Sequence, residues 1–299
     1  MTHPAIANIP SANLAKGQWW GKTWNGLDGM PLHRRKPTLY AIKPDFFFPG
    51  MDMKVVDRLF TIMAFASQHI FVMRTRRPDC LRDFLKRRCA SDWEGYFGMS
   101  SYLDEATGIV HQFWPLKNLC LGVKVTNQAE ADALIPALLE TPAAKRFVFV
   151  MPTGPVDLWP MLIPHMNHGE NREPLSWVIC GGETGPKARP MHPDWARSLR
   201  DQCRTAGVPF FFKQWGEWAP SENFPSDKKF KRWKEFLQGV DEPLPLAITG
   251  AQYDANARKY GEKIAFGPFT LMAWAGRRHS GRQLDGTTHD AFPEVENYA

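Results

Sequence analysis

Leu175-Ser176-Trp177-Val178-Ile179-Cys180-Gly181-Gly182-Glu183 opens the unit that decides the fold, and Ala206-Gly207-Val208-Pro209-Phe210-Phe211-Phe212 closes it. The first run is apolar on both parities, as a strand covered on both faces must be. Pro193 after His192, and Gly207 just past Ala206, are the start and stop signals of a helix over 193–206. Val208–Phe212 is a second apolar run. Strand, helix and strand in immediate succession make a parallel pair with a right-handed crossover.

The same rhythm recurs upstream. Leu39–Ile42, Ile70–Met73, Leu119–Val125 and Arg146–Val150 read as strands. Asp52 is a helix cap ahead of Val55, Val56, Leu59, Phe60 and Met63, which share one face. Leu81, Phe84 and Leu85 after Pro78 predict a basic helix, and Gln128–Leu139 another. These six units predict an α/β fold, either an open doubly wound sheet or a partial (β/α) barrel of about six parallel strands. The barrel is favoured because polar residues follow nearly every strand, and such folds place sites at the carboxyl ends of strands. Lys43 and Asp45 follow the first; Arg74 and Arg76 the second; Lys124, Thr126 and Asn127 the third. Glu183 follows the fifth, and Lys213 and Gln214 the sixth. Residues 1–220 are expected to form the barrel, with 92–112 as a lid or insertion. Residues 221–299 are expected to form an extension packed on it, with a helix at 231–238.

The chain has 299 residues, 43% of them hydrophobic, which is ample for a large core. No apolar run reaches the length of a membrane span, and Met1–Leu14 lacks the pattern of a signal peptide. Five cysteines without C-x-x-C spacing read as reduced thiols of a cytoplasmic protein. Net charge is +6, from 37 basic and 31 acidic residues; this permits an anionic ligand or nucleic acid without requiring one. Several of the twelve tryptophans sit beside glycine or proline in loops, where they stack on a ligand or fill a loop-rich domain.

Four groups of residues carry candidate chemistry. The pair Gly181-Gly182 after a strand allows a close backbone approach, which would present Glu183 to a ligand beside Arg189 and the helix start at Pro193. Lys213, leaving a buried strand, is a base if its pKa is lowered, or a charge partner of Glu183. Arg82, Lys86, Arg87 and Arg88 form the densest basic helix face, suited to phosphate or nucleic acid, or to simple solvation. His165 and His168 share a helical spacing but have no third ligand at a metal-binding distance in sequence, so no metal site is expected. Phosphate-loop, zinc-protease and nucleophile-elbow motifs are absent.

The blocks Thr23-Trp24-Asn25, Arg76-Arg77-Pro78, Leu119–Asn127, Gly154-Pro155-Val156-Asp157-Leu158, Trp177–His192, Ala206–Trp218 and Gly281-Arg282-Gln283-Leu284-Asp285-Gly286 resemble a phage- and prophage-associated family of unknown function. Its typical members are radical S-adenosylmethionine-like proteins with three cysteines near the N-terminus. The resemblance implies a partial barrel and an iron–sulfur cluster held by thiolates after the Thr-Trp-Asn element. Here Gly26–His33 follows instead, and no cysteine precedes Cys80. Met151-Pro152-Thr153 also stands where relatives tend to carry cysteine-glutamate-proline.

A diverged member without its cluster is therefore expected, retaining a pocket for a small polar ligand such as a nucleotide or an adenosyl compound, S-adenosylmethionine included. Asn25, Lys43, Arg74, Lys124, Asn127, Gly181, Gly182, Arg189 and Gln214 are its expected ligand contacts, with Glu183 and Lys213 as acid–base residues. The alternatives are a metal-independent enzyme acting on a nucleotide or nucleic acid, and a nucleic-acid-binding accessory protein using Arg82–Arg88. If phage-encoded, the protein is expected in the cytoplasm of a bacterial host.

Overall fold

The computed structural model describes residues 4–7, 9, 22–26, 28–42, 45–48, 50–90, 115–164, 173–220, 244–247 and 269–295. Lys43, the lid at 92–112, the histidines at 165 and 168 and the helix expected at 231–238 lie outside them, as do the side chains of Arg87 and Arg88.

Seven parallel strands form one sheet in chain order, curled into a half-barrel: β1 Lys22–Trp24, β2 Leu39–Ile42, β3 Ile70–Thr75, β4 Leu119–Val125, β5 Lys145–Val150, β6 Trp177–Gly181 and β7 Phe210–Gln214. About six were expected. The additional strand is β1, only three residues long with two of them exposed, too short to show a period of its own. The helices are α1 Pro4–Ala7, α2 Met30–His33, α3 Met53–Phe65, α4 Pro78–Ala90, α5 Gln128–Leu139, α6 Trp159–Leu162 and α7 Pro193–Ala206. Their caps follow from composition. The Asp52 carboxylate accepts from the Lys54 N–H at 2.9 Å, and Gly207 closes α7 in the left-handed region at φ 69°.

Strand periodicity separates two apolar layers. Tyr40, Ile42, Phe71, Met73, Leu121, Val123, Val148, Val150, Val178, Cys180 and Phe212 pack in the larger core with α3, α4, α5 and α7. Leu39, Ile70, Val72, Cys120, Phe147, Phe149, Trp177, Ile179 and Phe211 form the inner wall, joined by Ala5 and Ile9 from the N-terminus and by Val295 near the C-terminus. Gly122 is required on this wall, because a Cβ there would lie 2.5 Å from the Phe147 ring. Burial of each large aromatic contributes about 2–3 kcal/mol.

The C-terminal segment closes the β7 side. Phe212 N–H donates to the His289 carbonyl at 3.0 Å and Ala291 N–H to the Phe210 carbonyl at 3.3 Å, so the last strand of the sheet has a neighbour. Ahead of this contact, β8 Trp218–Pro220, β10 Phe269–Trp274 and β9 Leu244–Ala247 form a small antiparallel sheet. β11 Gln283–Leu284 and β12 Thr287–Thr288 form a hairpin around Asp285-Gly286, both at positive φ as a primed two-residue turn requires. Asp285 is clamped by Arg197 and Arg200 of α7, at 2.8 and 2.6 Å. No helix among the described residues is long and apolar enough to cross a membrane.

Candidate functional site

The inner wall changes from apolar to cationic at the carboxyl ends of its strands. Arg74 continues the Ile70, Val72 row of β3; Lys124 continues Cys120, Gly122 of β4; Lys213 continues Phe211 of β7. Between them stands Phe149 of β5. The Arg74 guanidinium carbon lies 5.6 Å from its ring centroid and Lys213 Nζ lies 5.2 Å from it, both within cation–π range. Gly181 leaves space for this packing, since a Cβ would sit 3.2 Å from Lys213 Cβ.

The charges act on one another. Burial pushes the Lys213 ammonium down to about 8, and the charges of Arg74, Arg277 and Lys124 push the same way. Burial likewise lowers Lys124, aided by Arg74 and Arg76 and opposed by Glu183 and Glu130. Arg74 keeps contact with solvent, yet the protein-dense concavity lowers its pKa as well, with Arg76 adding to the effect and Asp45 opposing it. Crowded cations whose charged forms are all disfavoured are relieved by an arriving anion.

Glu183, the acidic group delivered by β6, is engaged by Arg189. Arg189 Nη2 donates to Oε1 at 2.6 Å, and its Nε and backbone N–H both donate to Oε2, at 3.1 and 2.9 Å. Burial would raise this carboxyl, but these bonds and the charges of Arg189 and Lys124 outweigh it and hold it below the usual glutamate range. Glu183 is thus held in its ionised form as the acceptor of a bidentate Arg189 fork. It shares a cleft of about 400 Å³ with Lys124, Met151 and residues 184–188. Thr184 and Gly185 also line a second cleft of about 570 Å³, whose other walls are Glu217 and residues 274–279.

The expected contacts therefore divide. Arg74, Lys124, Gly181, Glu183, Arg189 and Lys213 gather at one mouth. Gly182 meets the protein's own backbone: a Cβ there would overlap the Trp215 carbonyl oxygen, and Gly216 at φ 93° sits against the Glu183 carbonyl in the same way. The glycines thus let strand β6 and the turn after β7 touch backbone to backbone. Gln214 is buried, and its carbonyl accepts from Gly182 N–H at 2.9 Å. Asn127 caps α5, its Oδ1 accepting from Glu130 N–H at 2.9 Å, while Glu130 reaches back to Thr126 N–H at 2.6 Å. Asn25 is exposed after β1. The start of α7, expected to offer N–H groups to an anion, is capped by buried His192, whose Nδ1 accepts from Asp194 N–H. On α4, Arg82 pairs with Asp83 and Glu140, and Lys86 with Glu140 at 3.8 Å, the pattern of a solvated ion-pair face.

Three participants escaped the sequence reading. Phe149 looks like any core residue of a strand. Arg277 lies far along the chain. Glu217 ties Arg277 to the turn after β6: its Oε1 accepts from Gly185 N–H at 2.9 Å and its Oε2 from Arg277 N–H at 2.8 Å.

A family model matches residues 15–293. The chain belongs to the family described as protein of unknown function, DUF5131. The match runs from before β1 to beyond β12, so the half-barrel and the C-terminal segment against β7 are parts of one DUF5131 unit. No curated protein and no solved structure matches the chain.

The four described cysteines of this DUF5131 chain, Cys80, Cys120, Cys180 and Cys203, do not cluster. Cys80 is exposed on α4, Cys120 is in the inner wall, and Cys180 and Cys203 lie behind the sheet. Burial pushes Cys120 and Cys203 up to about 12 and raises Cys180 as well. Among the described residues no group of three or more His, Cys, Asp or Glu side chains is placed to hold a metal.

Proposed function

We propose that this DUF5131 protein binds a small anionic ligand, a nucleotide or an adenosyl compound, at the cationic mouth of its half-barrel. The supporting observation is the convergence of Arg74 and Lys213 on the Phe149 ring, with Lys124 beside them and Glu183 already neutralised by Arg189. A phosphate or carboxylate placed there gains charge-assisted hydrogen bonds from cations that the buried Phe149 ring supports from beneath. In the wider reading, the protein is a diverged, phage-associated relative of radical S-adenosylmethionine proteins that keeps the binding platform without the cluster. The separation of the four described thiols bears on the cluster alone.

Thermal-shift measurements with ATP, AMP, S-adenosylmethionine and S-adenosylhomocysteine test the ligand, since a ligand that binds only the folded state raises the melting temperature. A shift that disappears in Lys124→Ala supports the proposal; no shift with any of the four at millimolar concentration refutes it. Anaerobic treatment with iron and sulfide tests the wider reading, and stoichiometric brown protein would overturn it.

A further inference from the structure

The second cleft is built from a turn that the proposed ligand site does not use. Gly276-Arg277-Arg278-His279-Ser280 leaves β10 and doubles back, with His279 N–H and Ser280 N–H both donating to the Gly276 carbonyl, at 2.9 and 3.1 Å. Gly276 takes φ 69°, as the reversal demands. Glu217 pins the turn from below: its carbonyl accepts from Ala275 and Gly276 N–H at 2.8 and 3.0 Å, and its carboxylate from Arg277 N–H. The same carboxylate holds Gly185 on the opposite wall. Both walls of the cleft are thus fixed to one side chain.

What this rigid lip displays is charge. Arg277, Arg278 and His279 are consecutive and exposed. Among the described residues neither arginine takes part in an ion pair. Both carboxylate oxygens of Glu217 accept from backbone N–H groups, those of Gly185 and Arg277. At the root of the lip, Trp274 lines the cleft and packs edge-on against Trp218 at 5.3 Å, while Trp218 Nε1 donates to the Ala188 carbonyl in the first cleft. Thr184 and Gly185 belong to both clefts, and the charge of Arg277 is felt at Lys213. One cationic track therefore runs from the mouth, over residues 184–185, to the lip.

We infer that the lip Arg277-Arg278-His279 with Trp274 is a single-stranded nucleic-acid contact, and that the ligand of the mouth is one nucleotide of an oligonucleotide. This rests on the reading of the mouth as a nucleotide site. A mononucleotide fills one cleft of ordinary ligand size, whereas the second cleft offers what the next nucleotides of a strand need: fixed guanidinium groups for phosphate and an indole for a base. Arg82 and Lys86 of helix α4 are not counted in this track, since Asp83 and Glu140 pair with them.

Fluorescence anisotropy with a labelled single-stranded DNA of about a dozen nucleotides, and with RNA of the same sequence, tests the inference over a salt series. Arg277→Ser with Arg278→Ser should weaken binding about tenfold or more at low salt. It should also reduce the slope of log K against log salt by about 1.4, at roughly 0.7 for each lost phosphate contact on a single strand. Trp274→Phe should bind more tightly than Trp274→Ala, and the phenylalanine variant keeps the test valid if the alanine variant unfolds. Arg82→Ser with Lys86→Ser should bind like the wild type. Unchanged oligonucleotide affinity in the lip variant overturns the inference, as does a loss of binding confined to the α4 variant. The two proposals fail separately. AMP that shifts melting while the lip variant still binds oligonucleotide refutes the lip alone. Oligonucleotide binding that depends on the lip, with no shift by any mononucleotide, refutes the mouth alone.

Discussion

Gly182→Ala separates a structural role of the glycine pair from a ligand-binding one. The added methyl would coincide with the Trp215 carbonyl oxygen and lie 2.5 Å from its carbon and 3.1 Å from Gly216 N. All three obstacles are backbone. None can rotate away, and Gly216 is itself pressed against the Glu183 carbonyl from the other side. Overpacking a well-filled site costs about 1–3 kcal/mol when side chains can adjust; with backbone on both sides the upper end, about 3 kcal/mol, is expected. At roughly 2 °C per kcal/mol for a chain of this size, melting should fall by about 6 °C. Gly154→Ala is the control, since nothing lies within 4 Å of its Cβ position and its φ is not positive; no loss is expected there. Differential scanning calorimetry reads both. A Gly182→Ala protein that melts like the wild type would refute the backbone-contact reading. If that stable variant also lost nucleotide binding, the glycine would have to serve the ligand after all.

Nucleotide affinity should be constant below about pH 8 and fall above it, because the bound anion favours the charged form of Lys213, whose pKa is lowered to about 8. Titration calorimetry from about pH 7 to 9.5 checks this, and Lys213→Arg should flatten the profile. The sign for stability is the reverse: the unfolded lysine holds its proton to a higher pH than the folded one, so this group's contribution rises with pH between about 8 and 10.5. Glu183→Gln should destabilise by only about 1 kcal/mol, since Arg189 is half exposed, and should tighten anion binding by removing a negative charge. Collapse of affinity would instead mark Glu183 as a direct ligand contact. Asp285→Ala removes the shared partner of Arg197 and Arg200 and should lower stability by about 1–2 kcal/mol in urea titration without changing nucleotide affinity. Asn127→Ala should cost about 1 kcal/mol as a lost helix cap, again leaving affinity unchanged.

The strands and helices of the half-barrel were legible because burial on both faces leaves continuous apolar runs, and because Asp52, Pro193 and Gly207 mark helix ends by mechanisms that need no tertiary context. β1 was not legible: a three-residue strand has no period, and it forms only because β2 offers its edge. At the site, the basic residues after β3, β4 and β7 were visible as a ring, since strand ends in a parallel sheet converge. Their partners were not. Sequence spacing shows neither that Glu183 would be taken up by Arg189, nor that Gly182 faces Trp215, nor that Arg277 returns to within electrostatic reach of Lys213. Helix α4 shows the converse. Its run of basic residues is conspicuous in one dimension, and Glu140, which pairs with Arg82 and Lys86, follows more than fifty residues later in the sequence.

Phe149 explains why an apolar wall and a cationic mouth can share one face of one sheet. The inner wall below it is packed with aromatic and aliphatic side chains, where a lysine would pay a desolvation cost of several kcal/mol. At its own level the strands are ending and solvent enters, so Arg74 and Lys213 can place their charges over the ring and keep partial hydration. A smaller residue at 149 would let these cations sink into the wall or swing outward, and an acidic one would neutralise them. No acidic residue follows β5 directly, where Met151-Pro152-Thr153 stands, so the cations over Phe149 gain no counter-charge from that strand.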